Sequence, residues 1–304
     1  MKGRDLLSIA DLSPEEIWGL VERALAIKRG QERPSIAGAT VALLFEKPSL
    51  RTRVSFQVAI HQLGGYPLEL TREQVGLGSR EPVEDIAKVL SRFVNALVVR
   101  TFAQRTLEEL AQHATVPVIN ALSDQEHPCQ ALADLLTIYE RRGALKGVTL
   151  AYIGDGNNVA ASLALAAAST GMAFHIASPE GYDLPTKVLR VAQQRAAASG
   201  AFVTCLRSPR AAVVGADVVY TDVWASMGQE GEAPLRRTAF AGYQVNEDLL
   251  ALAAPHAIFL HDMPAHYGEE VPPGFLNHPQ SAVFDQAENR LHVQKAILAA
   301  ILGG

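Results

Sequence analysis

Short aliphatic runs separated by stretches of helical spacing constrain this chain more than any other feature. Candidate strands lie at 40–45, 96–100, 148–153, 173–177, 216–221, 257–261 and 282–284. Between them apolar residues recur at helical intervals near 50–63, 82–93, 104–113, 128–142, 158–170, 186–198 and 246–253, with a last helix near 286–302. Strands built almost wholly of Val, Ile, Leu and Ala need cover on both faces. This predicts an α/β fold of parallel sheets flanked by helices. Ser13-Pro14-Glu15-Glu16 marks a helix start: an N-cap serine, a proline at the first helical position, and a glutamate three residues after the cap.

At 304 residues the chain is long for one core, so two domains of roughly 100–200 residues are expected. The division falls near residue 140, in the long helical segment ALADLLTIYERRGALKG. Hydrophobic residues make up 48% and charged residues 19%, which supports sizeable cores and argues against disorder. Asp plus Glu (32) outnumber Lys plus Arg (27), and the net charge of −5 speaks against a nucleic-acid partner. Cys129 and Cys205 supply neither a disulfide framework nor, by themselves, a metal site. MKGRDLLSIADLSPEE has no apolar core of the signal-peptide kind, and the most apolar stretch, VAASLALAAAST, is too short to span a bilayer. A cytoplasmic protein without membrane association is expected.

On an acidic background, clustered basic residues point to a local anion site. VALLFEKPSLRTRVSF crowds Ser49, Arg51, Thr52 and Arg53 into the mouth of a helix. With Ser49 as cap, the amides of Leu50, Arg51 and Thr52 remain among the unsatisfied donors, and helix N-termini bind phosphate through such amides. Two stripes, Val54 with Val58 and Phe56 with Ile60 and Leu63, are expected to anchor this helix by burial. On spacing alone, an ordinary capped helix with solvated arginines fits about as well.

Other polar groups also follow strands. Arg100 ends the run ALVV, at a strand carboxyl end where ligands of open α/β sheets gather. In HPCQ, His127 and Gln130 share one helical face, and a neutral imidazole and an amide suit a carbonyl oxygen and an amino group. YIGDGNNVAAS carries Gly154 and Gly156 of a dinucleotide fingerprint, with Val159 or Ala160 where the third glycine belongs and Glu180 as a candidate ribose acid. A dehydrogenase thus stays open as an alternative, although Asn157 and Asn158 better suit a small polar molecule. TDVWASMGQE presents Asp222 to a substrate ammonium, with Ser226 on the following loop. LHDMPAHYGEEV offers His261, Asp262, His266, Glu269 and Glu270, without zinc-enzyme spacing or a cysteine partner, so no metal is expected.

Taken in order, Ser49-Leu50-Arg51-Thr52-Arg53, Arg100-Thr101, His127-Pro128-Cys129-Gln130, Gly154-Asp155-Gly156-Asn157-Asn158, Asp222 to Gly228 and His261-Asp262-Met263-Pro264 resemble the aspartate/ornithine carbamoyltransferase superfamily. The DVWASMG and GDGNN pair points to its ornithine branch, and FDQAENRLHVQKA fits the same pattern, so the resemblance runs essentially end to end. It implies a carbamoyl phosphate domain at 1–140, an ornithine domain at 141–285 and a C-terminal helix, 286–304, returning to the first domain. The implied reaction moves the carbamoyl group of carbamoyl phosphate to the δ-nitrogen of ornithine. No metal or organic cofactor is implied, and a homotrimer or a multiple of trimers is.

Carried over by position, Ser49, Leu50, Arg51 and Thr52 are expected to hold phosphate, with Arg100 bridging to the carbamoyl oxygen. His127 and Thr52 polarise that oxygen, Gln130 accepts from the carbamoyl amine, and Arg290 completes the carbamoyl phosphate site. Asn158, Asp222, Ser226 and Met227 grip ornithine's α-amino and α-carboxyl groups. Two departures stand out. His261-Asp262-Met263-Pro264 replaces the usual His-Cys-Leu-Pro, so Asp262 takes a cysteine's place beside the side-chain amine, and Met263 contributes mainly backbone carbonyls. Gly76 takes the place of a glutamine or histidine that reaches a neighbouring subunit's site, with Gln74 and Arg80 as candidate substitutes. Asp262 leaves putrescine and N-acetylornithine open as alternative acceptors, and these departures also leave open a non-catalytic paralogue.

Overall fold

The computed structural model describes every residue except Gly78, Ser79, Met227 and Gly304, and no side chain for Arg72 or Glu230. The chain divides into two units, one of Met1–Leu136 with Glu288–Gly304, the other of Thr137–Ala287.

The first unit opens with α1 (Pro14–Lys28), capped as its sequence predicts. Ser13 Oγ accepts from the Glu16 amide at 3.2 Å while the Glu16 carboxylate accepts from the Ser13 amide at 3.0 Å. There follow β1 (Thr40–Phe45), α2 (Leu50–Gln62), β2 (Tyr66–Thr71), α3 (Arg72–Val75), α4 (Val83–Leu90), β3 (Ala96–Arg100), α5 (Gln104–His113) and β4 (Val118–Leu122); α6 (Pro128–Arg142) starts in this unit, and its residues from Thr137 on belong to the second. The four strands are parallel in the order β2-β1-β3-β4. β2 and β4 are additions to the sequence reading. Pro67 and Glu69 break the apolar run of an edge strand, and Asn120 interrupts the buried β4.

The second unit holds β5 (Thr149–Ile153), α7 (Asn158–Thr170), β6 (Ala173–Ala177), α8 (Thr186–Ser199), β7 (Val203–Leu206), α9 (Pro209–Val213), β8 (Val218–Thr221), α10 (Ala233–Ala239), α11 (Glu247–Leu250) and β9 (Ile258–Leu260). Its five strands are parallel in the order β7-β6-β5-β8-β9. The half-exposed β7 is too short and polar to stand out as a strand in the sequence.

The last helix, α12 (Val283–Leu302), corrects the strand expected at 282–284. Only a single bridge, Ser281 to Phe259, extends the sheet there. Ala282-Val283-Phe284 resembles a strand, but the helix-forming residues behind it draw Val283 and Phe284 into the first turn. From Glu288 onward α12 groups with the first unit, where Lys28 Nζ donates to Asn289 Oδ1 at 2.8 Å.

Strand order reverses direction between β1 and β3 in one unit and between β5 and β8 in the other. Crevices at such switch points, outside the strand carboxyl ends, are where α/β sheets bind ligands. Ser49 to Thr52 and Arg100 follow the first pair; Gly154 to Asn158 and Asp222 follow the second.

Candidate active site

In the first unit the mouth of α2 differs from the expected capped helix. Ser49 occupies the N-cap position with extended backbone, yet its side chain makes no capping hydrogen bond. The first-turn amides therefore lack the side-chain acceptor that usually meets them. The anchoring stripe is Phe56, Ala59, Ile60 and Leu63; Val54, expected inside, is 48% exposed. Arg53 turns outward and pairs with Glu69 on β2, which also accepts from Gln57 Nε2 at 2.6 Å.

Thr52 is buried, and two guanidiniums converge on its hydroxyl. Arg100 Nη1 donates to Oγ1 at 3.3 Å, and Arg290 Nη2, from α12, donates to the same atom. Both arginines are themselves buried. His127 is fully buried nearby: burial first, then the charges of Arg290 and Arg100, hold its imidazole well below its ordinary pKa. It is a neutral ring at physiological pH. On the next turn Gln130 donates from Nε2 to Asp134 Oδ1 at 2.8 Å, while its buried Oε1 has no hydrogen-bond partner among the described residues. Cys129 between them is inert, since burial pushes its thiol up to about 12.

The loop before His127 is tied down by groups the sequence reading passed over. Glu126 accepts from the Ile9 amide at 3.0 Å and from Ser8 Oγ, and Ser123 Oγ donates to Gln104 Oε1 at 2.6 Å. Lys47, buried two residues before Ser49, holds its ammonium 4.5 Å from the Phe102 ring centroid. A lysine and a glutamate beside the motif residues were the available signals; their burial depends on tertiary contacts.

Farther along, Gln74 turns its Oε1 back to the Thr71 amide at 2.8 Å, so it acts as a local cap. Gly76 has φ +60°, and a Cβ there would lie 2.7 Å from Arg80 Cβ. Arg80 projects outward with its side chain 68% exposed.

In the second unit the glycine turn packs hard against a neighbouring segment. A Cβ on Gly156 would lie 2.4 Å from Asp183 C and Leu184 N, so this position has room for glycine alone. Asn157 Oδ1 caps α7 through the amides of Val159 and Ala160, both at 3.0 Å, and Asn158 Oδ1 accepts from the Val159 amide at 3.0 Å. The α7 terminus, unlike that of α2, has its donors satisfied.

Asn157 Nδ2 donates to Asp222 Oδ2 at 2.7 Å, joining the β5 and β8 ends. His261 Nδ1 accepts from the Met263 amide at 2.9 Å, so Nε2 bears the proton and donates to Glu270 Oε1 at 3.1 Å. His261 and Glu270 are fully buried and shape the turn carrying Asp262 and Met263, whose φ is +58°. Acceptor atoms of Asp222, His261 and Asp262 lie within 4.8 Å of one another. With both ring nitrogens engaged, His261 has no lone pair for a metal. The Ser226 amide donates to Gln229 Oε1 at 3.1 Å, and Met227 lies outside the described residues.

Residues 4–140 match the profile of the aspartate/ornithine carbamoyltransferase carbamoyl-P binding domain, and residues 146–301 that of the Asp/Orn binding domain. The chain belongs to the aspartate/ornithine carbamoyltransferase family. This carbamoyltransferase is 51% identical over 308 residues to the ornithine carbamoyltransferase of Pyrococcus abyssi, covering 100% of this chain and 97% of that one. Against the enzyme of Acidothermus cellulolyticus the identity is 54% over 301 residues, covering 98% and 96%. The solved ornithine carbamoyltransferase of Pyrococcus furiosus superposes with a TM-score of 0.96 at 50% identity, covering 99% of this chain and 97% of that one. For the Thermus thermophilus enzyme the TM-score is 0.88 at 46% identity, covering 98% of each chain.

Proposed function

We propose that this carbamoyltransferase moves the carbamoyl group of carbamoyl phosphate to the δ-nitrogen of L-ornithine, giving L-citrulline and phosphate, a step of arginine biosynthesis. The observation that carries the reading is the uncapped mouth of α2 beside a hydroxyl shared by two buried guanidiniums and a neutral buried imidazole. Ornithine is the acceptor in the names of the full-length relatives.

Phosphate is held by Ser49, the amides of Leu50, Arg51 and Thr52, the Arg51 side chain and Arg290, where the helix dipole and fixed cations favour an anion. Arg100, Thr52 and His127 meet the carbamoyl oxygen, and Gln130 Oε1 accepts from the carbamoyl amine. The neutral δ-amine attacks the carbonyl carbon, a C–N bond forms, the C–O bond to phosphate breaks, the departing phosphate takes the proton that the nitrogen sheds, and the oxyanion that develops between meets preplaced donors. Each such donor contributes about 2.7–4 kcal/mol to the barrier difference. Asn158, Asp222, Ser226 and Met227 hold ornithine's α-amino and α-carboxyl groups, Met263 contributes backbone carbonyl, and Asp262 pairs with the δ-ammonium and takes its proton.

We place the reaction in the cytoplasm; no helix among the described residues is long and apolar enough to cross a membrane. The assembly is a homotrimer or a multiple of trimers. Supporting it, Leu50 (74%), Tyr66 (63%) and Phe93 (72%) are exposed on the first unit. Arg80 is the residue of its loop disposed to reach a neighbour, because Gln74 is engaged locally.

One assay tests the function: turnover of carbamoyl phosphate with ornithine, N-acetylornithine, putrescine and aspartate side by side. Citrulline formation with ornithine as the best acceptor is expected. Absence of turnover with every amine would sink the enzyme reading, and a better acceptor than ornithine would replace the substrate.

A further inference from the structure

Arg236 is the charged side chain of the second unit whose burial the function has not explained. Only 7% of it is exposed, although α10 is short. Its Nη1 donates to Asp155 Oδ2 at 2.6 Å and to the Trp224 carbonyl at 2.8 Å, and its Nε donates to Glu232 Oε2 at 3.0 Å. The Tyr182 ring lies under the guanidinium, with Cζ 5.0 Å from its centroid. Asp155 belongs to the turn after β5 and Trp224 to the segment after β8, so one guanidinium ties together the two strand ends flanking the switch point.

A buried ion pair adds little net stability, because desolvation offsets the attraction. What a guanidinium supplies is geometry: a planar fork of donors that accepts only one arrangement of its acceptors. Here those acceptors sit immediately beside the groups assigned to the amino acid, Asn158 on one side, Asp222 and Ser226 on the other. The second tie between these segments, Asn157 to Asp222, leaves the chain beyond Asp222 to be held by other contacts. The Arg236 contact to the Trp224 carbonyl is one of them.

We propose that Arg236 is a positioning residue of the amino-acid site: it fixes the Trp224–Ser226 backbone against the Gly154–Asn158 turn, so that the groups on both are set before substrate arrives. This rests on reading the second unit as the ornithine site. Arg236 touches no substrate. A lysine keeps the charge but not the fork, and a single ammonium cannot reproduce the bonds to Asp155, Trp224 and Glu232 together.

The test uses the full-length protein and the variants R236A, R236K and D155N, with steady-state kinetics in both substrates and backbone amide exchange in the absence of substrate. R236A is expected to raise the KM for ornithine on the order of 10-fold to 100-fold, as small misplacements of positioning groups do. The KM for carbamoyl phosphate stays unchanged. R236K recovers part of the loss, and D155N, which keeps the Trp224 contact, shifts the ornithine KM less and in the same direction. Exchange rises at Asp155, Gly156, Ala225 and Ser226. An unchanged ornithine KM, or both KM values rising together, overturns the proposal. If R236A does not fold, R236K and D155N decide by the same criteria. A wild-type protein that turns over no amine sinks the ornithine reading instead; the exchange measurement then stands alone, and protection unchanged by R236K and D155N overturns the clamp.

Discussion

Arg290 and Thr52, 238 positions apart in sequence, are joined by a hydrogen bond from the guanidinium of α12 to the first-turn hydroxyl of α2. Arg100 donates to the same oxygen from the end of β3. The hydroxyl thus accepts from two cations and has its own proton left to donate. Removing either cation takes a donor from this hydroxyl and a positive charge from the surroundings of His127.

Arg100→Ala, with Arg100 proposed to meet the carbamoyl oxygen, is accordingly expected to lower kcat about 10²–10³-fold, the usual cost of losing one donor to a developing oxyanion. Thr52→Val should act in the same direction. Initial rates of citrulline formation check both, and a loss below tenfold in each would remove this hydroxyl from the reaction.

His127 makes the stability of the protein depend on pH. Its folded pKa lies well below the unfolded value of about 6.5. The unfolded chain therefore binds the extra proton as pH falls through 6.5, and the folded one does not. Stability is full above that pH and is lost as pH drops below it. Partly buried His292, shifted the same way chiefly by burial, adds to the effect. Thermal unfolding between pH 8 and 5 should show this slope, and His127→Gln should flatten it. In kinetics, no ionisation of His127 should appear at neutral pH.

Gly156→Ala tests the packed turn. A methyl 2.4 Å from the Asp183–Leu184 backbone forces a shift of main chain, which has no rotamer with which to yield. Overpacking of this kind costs roughly 1–3 kcal/mol. Urea unfolding should show that loss together with a raised ornithine KM, while the KM for carbamoyl phosphate stays as it was.

Asp262 is 14% exposed in a turn whose shape is held from beneath by His261 and Glu270. Asp262→Asn keeps that shape and removes both the charge and the proposed proton acceptor, so kcat should fall and the ornithine KM should rise about tenfold, equivalent to about 1.4 kcal/mol. Asp262→Cys should retain turnover, whereas Arg51→Ala should nearly abolish carbamoyl phosphate binding. A Cys variant as inactive as Arg51→Ala would give Asp262 an essential role of its own.

Gly76→Gln would place a long side chain into a left-handed position already crowded by Arg80. A lowered Tm is expected, without any gain in turnover.

Much of the fold was legible because burial on both faces writes a strand as an unbroken aliphatic run, as in β1, β3 and β5. β2 and β7 escaped notice because their exposure admits proline, glutamate and threonine, and the start of α12 reads as a strand over three residues. The motif residues of the candidate site stood out by type and by place after strands. Arg236, Glu126 and Glu270 did not, because a charged residue in sequence looks the same solvated or buried.

The sequence by itself determined which segments are strands and helices over most of the chain, where the first helix starts, and which residues form the family's motifs. Local spacing and short-range capping suffice for that. Only the tertiary structure decided that Ser49 leaves its helix mouth uncapped, that Gly156 packs against the Asp183–Leu184 backbone, and that Arg100 and Arg290 meet at Thr52. Those facts depend on groups far apart in the chain, whose desolvation and hydrogen bonding exist only once the sheet and helices are packed.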